Sequence, residues 1–178
     1  FNFSIIAPKR WVSMKPEAFN KLACVVMRRS NPEIMCMIIG ERAGGSLSLE
    51  ALKEISISKL ASASKVLEQS EEALTLKGMT FAHVTSRVRV ETVNIVLRYE
   101  HWLATHRGFA WQILFWSPDA SKESLASESR KVIDTFRVLD PTEDGGGQGT
   151  LEDVTRPELG YATRLSGMGW SLWEEAGR

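Results

Sequence analysis

Apolar and polar positions change their period several times along the chain, and each change marks an element. Residues 1–11 alternate loosely until Pro8 and a Lys9-Arg10-Trp11 turn end a first short strand. Residues 22–29 and 34–42 are rich in Val, Ile and Met, with Ser30-Asn31-Pro32-Glu33 between them. That composition predicts two strands joined by a turn. A simple turn there sets Arg29 opposite Ile34 and makes Cys36 face Met27 rather than Cys24. Gly44-Gly45 stops the second strand, and Ser46 or Ser48 can cap a helix running to about Ser64. Leu49, Leu52, Ile55 or Ser56, Leu60 and Ala63 keep helical spacing, which leaves Glu50, Lys53, Glu54 and Lys59 mostly toward water.

From residue 65 the period becomes two. Residues 66–69 and 73–76 are short strand candidates, followed by a Lys77-Gly78 turn. Residues 79–90 alternate cleanly, with Thr80, Ala82, Val84, Ser86 and Val88 on one face and Met79, Phe81, His83 and Thr85 on the other. After a turn at Glu91, residues 92–117 form the most apolar stretch, which reads as a long antiparallel hairpin with Gly108 in its loop. A turn near His106 pairs Leu103 with Phe109, His101 with Trp111, Tyr99 with Ile113 and Leu97 with Phe115, a continuous face expected to be core. The other face then carries Trp102 with Ala110, Glu100 with Gln112, Arg98 with Leu114 and Val96 with Trp116.

That second face is mixed. A helix or a second domain partly covering it would explain the mixture. Alternatively, Trp, Arg and Leu in polar surroundings fit interface anchors, which makes Trp102, Trp116, Leu114, Arg98 and Val96 the candidate partner-binding residues. Beyond the hairpin, Asp119 or Ser121 can cap a second helix whose apolar stripe is Leu125, Val132, Ile133 and Phe136, with a gap at Ser129. The helix is expected to end near Arg137, and Asp140-Pro141 closes the unit.

The Gly-rich segment that follows is a flexible linker by composition. After it, residues 159–170 repeat the opening pattern of aromatic-led strand, turn and Trp, now ending at Trp170. The expected organisation is a first domain at 1–140, a linker at 141–158, and the start of a second, truncated copy at 159–178. The chain opens at Phe1 inside what reads as a strand, so a processed product or an excised domain is expected.

With 178 residues, 43% hydrophobic and 25% charged, the chain can bury one good core. Its 22 basic and 22 acidic residues cancel, so no broad electrostatic grip on nucleic acid is expected. No run is long enough for a transmembrane helix. Two cysteines and three histidines are too few and too scattered for a metal site, and buried free thiols are expected. His101 and His106 are five apart on a strand and loop, and His83 alternates with apolar neighbours; all three read as structural. The sequence has no nucleophile elbow and no phosphate loop, and the paired glutamates Glu71-Glu72 and Glu174-Glu175 read as solvated charge. No catalytic, cofactor-binding or metal-binding residue is assigned. A pocket near the hairpin tip, around His101, His106 and Arg107, is the competing small-ligand or enzymatic expectation.

The element order predicts an α+β fold, an antiparallel sheet of about six strands flanked by two main helices. In that order the segments Phe3-Ser4-Ile5-Ile6-Ala7-Pro8-Lys9-Arg10-Trp11, Gly108-Phe109-Ala110-Trp111-Gln112-Ile113 and Ser117-Pro118…Ile133-Asp134-Thr135-Phe136-Arg137 resemble the PsbP/Mog-type α/β/α sandwich superfamily. The resemblance covers residues 1–139 and again the fragment 159–173, and it is nearest to the bacterial branch, of envelope lipoproteins and chaperones that hold type VI secretion effectors. It implies binding without catalysis: a protein-binding, adaptor or chaperone domain. It transfers no site residue. The expected partner is another protein or the chain's own second domain, with a homodimer as a further expectation and the compartment unassigned.

Overall fold

The computed structural model describes residues 3–43, 47–106 and 108–139, together with the backbone of two strands at 162–166 and 169–173. Residues 12–129 form one compact unit, and residues 1–11 group with 130–178 as another. The larger unit is built on a seven-stranded sheet. Its strands are β2 (Trp11–Met14), β3 (Ala23–Ser30), β4 (Glu33–Arg42), β5 (Lys65–Leu76), β6 (Met79–Val90), β7 (Ile95–His106) and β8 (Phe109–Pro118). They lie in the order β2-β3-β4-β8-β7-β6-β5, one strand more than the sequence pattern suggested.

Helix α1 (Leu49–Ala63) starts where Ser48 accepts a hydrogen bond from the Ala51 amide at 3.1 Å, satisfying one free donor of the first turn. Only Leu52 and Ser56 of this helix are buried. Leu52 meets Leu103 and Ala110, with Ala43, Leu47, Leu49 and Ala82 around them. Helix α2 (Lys122–Ile133) follows a 3-10 turn at Asp119–Ser121 and ends four residues before Arg137. The two stretches expected at 66–69 and 73–76 are one strand, β5, because the polar residues between them, Ser70, Glu71 and Glu72, pair in register with Thr85, Val84 and His83 of β6.

The first hairpin has the expected pairing: Arg29 faces Ile34 and Met27 faces Cys36. Both cysteines are free thiols, and burial pushes Cys36 far above the ordinary thiol range. Lys77 and Gly78, both at positive φ, close β5 onto β6 with Leu76 paired to Met79.

The central hairpin differs from its expected register. His106 pairs with Phe109, Leu103 with Gln112, His101 with Leu114 and Tyr99 with Trp116. Gly108, just before the paired Phe109, has φ +76°, where an L side chain is disfavoured. Relative to a turn at His106 the shift is an odd number of positions. It therefore exchanges the faces of one strand against the other. Leu103, His101, Tyr99 and Leu97 share a face with Ala110, Gln112, Leu114 and Trp116, whereas Trp102, Glu100 and Arg98 share the other with Trp111, Ile113, Phe115 and Ser117.

Helix α1 lies on the first of these faces, where its buried Ser56 hydroxyl donates to Gln112 Oε1 at 3.0 Å. Residues 122–129 of α2 lie on the second, where Ser129 donates to Glu100 and Glu128 pairs with Arg29. The smaller unit holds the antiparallel pair β1 (Phe3–Ser4) and β9 (Arg137–Val138), with Phe3 and Phe136 rings 5.6 Å apart. In the same unit Thr135 Oγ1 accepts from the Ile6 amide at 2.9 Å. Strands β10 (Ala162–Ser166) and β11 (Gly169–Trp173) pair antiparallel with each other. The expected linker lies outside the described residues, as do the side chains of the expected second copy.

Candidate functional site

The five candidate anchors do not share a face. Leu114 and Trp116 stand on the α1 side, whereas Trp102, Arg98 and Val96 stand on the α2 side. Their surroundings differ as much as their direction. Trp102 is 2% exposed, with His83 stacked on its ring and Phe81 edge-on at 6.2 Å. Val96 is half-buried opposite Arg89.

Arg98 sits directly across from Arg87, a like-charge pair that is unfavourable unless neutralised. Asp119 and Glu68 neutralise it. Asp119 accepts from Arg98 Nε at 2.7 Å and from Arg87 Nε at 2.9 Å, while Glu68 lies 2.9 Å from Arg87 Nη1 and 3.2 Å from Arg98 Nη2. The guanidinium of Arg98, then that of Arg87, holds the Asp119 carboxyl below its ordinary value against the opposing effect of burial. Arg98 is thus committed to holding β5, β6, β7 and the turn before α2 together.

Leu114 and Trp116 are placed differently. Both are half-buried; Trp116 stacks on half-buried Tyr99 with centroids 6.2 Å apart and planes 20° apart. Cross-strand neighbours Met37, beside Leu114, and Met35, beside Trp116, extend the strip onto β4. Leu97 extends it along β7. Such a strip of aromatic, Leu and Met side chains offers apolar area with little rotamer cost for the aromatics, and the methionines adapt to an irregular partner.

The α2 face carries a polar line that the sequence did not announce. Glu72 Oε1 lies 2.9 Å from His83 Nδ1, His83 Nε2 lies 3.5 Å from Glu100 Oε2, and the same Glu100 oxygen receives the Ser129 hydroxyl from α2. Glu100 is 5% exposed and Ser129 fully buried. Beside this line a cleft of about 270 Å³ opens between β7 and α2, with Thr85, Glu100 and Leu125 inside and Arg98, Lys122 and Glu123 among its other lining residues. Burial lowers the proton affinity of His83, but hydrogen bonds to Glu100 and Glu72 outweigh it and hold the pKa above the ordinary imidazole value. Two features of the sequence could have pointed to this line: a glutamate in the middle of an apolar strand, and the serine that interrupts the stripe of α2.

The histidines of the hairpin do not converge. His101 and His106 stand on opposite faces of β7. Burial, and then the nearby charge of His83, push the His101 pKa down to about 4. Neither of its ring nitrogens has a hydrogen-bond partner among the described residues. Arg107 lies outside the described residues. Among the described residues, no group of three or more His, Cys, Asp or Glu side chains is arranged to hold a metal ion, and no helix is long and apolar enough to cross a membrane.

A broad antiparallel sheet with a helix on either face defines an α+β sandwich, and solved structures place it among PsbP-like folds. The chain is similar to cyanobacterial PsbP (CyanoP) from Synechocystis sp. PCC 6803, with TM-score 0.58 and 14% identity over 78% of this chain and 87% of that one. It is similar to LpqN of Mycobacterium tuberculosis, a protein involved in cell envelope biogenesis, with TM-score 0.60 and 11% identity over 78% and 83%. A Bacteroides thetaiotaomicron protein matches with TM-score 0.53 and 14% identity over 79% of this chain but only 46% of its own length. No family model matches the chain, and no curated protein matches it in sequence. At these identities the likeness is one of fold.

Proposed function

We propose that this chain is a non-catalytic protein-binding domain, an adaptor or chaperone of a bacterial protein, that takes an apolar segment of a partner on the α1 side of its sheet. The observation that carries this reading is the half-buried strip of Tyr99, Trp116, Leu114, Met37 and Leu97 beside a helix that buries only two of its own side chains. A partner helix laid on the strip would bury its apolar face against Trp116 and Leu114, the part of the interface expected to carry most of the binding energy. The bacterial assignment and an envelope setting draw support from fold likeness to a mycobacterial protein involved in cell envelope biogenesis. A tandem second copy at 159–178 is part of the same reading and a rival occupant of the strip.

A synthetic amphipathic helical peptide with a Leu-rich face is the direct probe, titrated calorimetrically against the full chain. The Leu114→Ala/Trp116→Ala variant should weaken binding by about tenfold or more while leaving far-ultraviolet circular dichroism unchanged. Equal affinity in the folded variant, or no binding by the unaltered chain, would discard the reading. Trp102→Ala serves as contrast: its target is buried, so it should lower stability first.

A further inference from the structure

Three separate features meet at His83. Its ring lies over Trp102 with centroids 3.8 Å apart and planes within 14°, an arrangement in which an aromatic face stabilises a cation. Each of its nitrogens faces a carboxylate, Glu72 at 2.9 Å and Glu100 at 3.5 Å. Glu100, in turn, is the acceptor for Ser129 of α2. A neutral imidazole has one N–H and one lone pair, so it can donate to only one of these carboxylates and must turn its lone pair toward the other. The imidazolium presents an N–H to each, hydrogen-bonded to Glu72 at 2.9 Å and in ionic contact with Glu100 at 3.5 Å.

The two carboxylates do not bear the loss of that proton equally. Glu72 is exposed, and water replaces the ring there. Glu100 is buried, and a buried carboxylate without a countercharge is costly enough to move or to draw in water. The cleft between β7 and α2, lined by Glu100 and by Lys122 of the first turn of α2, gives it a direction in which to move. We propose that His83 is a proton-dependent latch for helix α2. With the proton in place, Glu100 is held against the sheet to receive Ser129; without it, Glu100 turns toward the cleft, Ser129 keeps only the Ala126 carbonyl of its own helix as acceptor, at 3.1 Å, and the segment 122–129 loses a tie to the sheet and loosens.

The other groups around the ring leave this role to His83. On β5, Glu72 faces it; on β7, Glu100 does so, while Arg98 is engaged by Asp119 and Glu68. On α2, Glu128 is tied to Arg29 at 2.9 Å, and Lys122 and Glu123 stand along the cleft. His101, on the opposite face, is held neutral by burial. Because the folded-state pKa of His83 is raised, the latch is closed below the ordinary imidazole value and opens as pH rises through the folded one.

Amide hydrogen exchange on the full chain between about pH 6 and pH 9, alongside the ring-carbon titration of His83 by NMR, tests this. After correction for intrinsic exchange, protection of amides 122–129 should fall about tenfold across the His83 titration, while α1 stays level. Glu100→Gln should flatten the dependence, since a carboxamide needs no cation; Ser129→Ala should leave the segment poorly protected at every pH. Protection of α2 that stays level while His83 titrates overturns the proposal. So does a Glu100→Gln or Ser129→Ala chain with the unaltered pH dependence, or a His83 that does not titrate in this range.

Discussion

Helices α1 and α2 cover opposite faces of one sheet, and they are held there by different physics. Helix α1 rests on a small apolar contact, Leu52 against Leu103 and Ala110, with one neutral hydrogen bond from Ser56 to Gln112 and an ion pair from Lys53 to the exposed Glu71 of β5 at 3.0 Å. The 122–129 part of α2 is fastened by a buried ion pair and by a hydroxyl bonded to a buried carboxylate. Apolar contact tolerates small displacements, whereas a buried charge must be met in one geometry or pays its full desolvation. The α2 face is therefore held to one arrangement while its charges are matched, and the α1 face is the one the proposed binding reading uses.

Neighbouring residues of β8 test that contrast most strongly. Phe115→Ala, on the α2 face and fully buried, should cost about 3–5 kcal/mol in urea unfolding. Leu114→Ala beside it, half-buried on the α1 face, should cost about 1 kcal/mol. Similar losses at both positions would mean that the two faces are equally packed.

Glu128→Ala takes the countercharge from half-buried Arg29 and should destabilise by about 2 kcal/mol, against about 1 kcal/mol for Ser56→Ala on the other side. Acid titration gives an effect of the same order at His101. Its folded pKa of about 4 lies below the unfolded value, so the unfolded chain binds the extra proton and stability falls as pH drops from about 6.5 toward 4. The loss should reach about 3 kcal/mol near pH 4, and His101→Phe should remove it, as read from urea midpoints in an acid series. His83 acts in the opposite sense, so the two histidines should be separable by single substitution. The smallest effect is expected at the α1 cap: Ser48→Ala should cost about 1 kcal/mol and fray the first turn in hydrogen exchange. Helix α2, which starts from a 3-10 turn without a side-chain cap, should show no comparable site at Pro118.

Much of this architecture was legible in the residues. The turn between Arg29 and Ile34 placed Cys36 opposite Met27, and Ser48, one of the two caps the sequence offered, starts α1. At the central hairpin the pattern was silent on register. Strands β7 and β8 bury side chains on both faces, so sliding one past the other exchanges apolar for apolar and no mismatch rejects the wrong pairing. Arg107-Gly108, the pair that fits a two-residue hairpin loop, held the missing information. Choosing it over a turn at His106 would have separated Trp116 and Leu114 from Trp102 and Arg98.

The sequence by itself determined roughly where most strands and both helices lie, that one sheet would dominate, and that no local catalytic motif accompanies it. These follow from period, turn residues and caps, all short-range properties of the chain. Tertiary structure decided which side chains share a face and which buried charges meet. Glu72, His83, Glu100 and Ser129 come from β5, β6, β7 and α2, and only the pairing of three strands beneath a helix sets them in line. Spacing along the chain carries no record of a contact made across four elements.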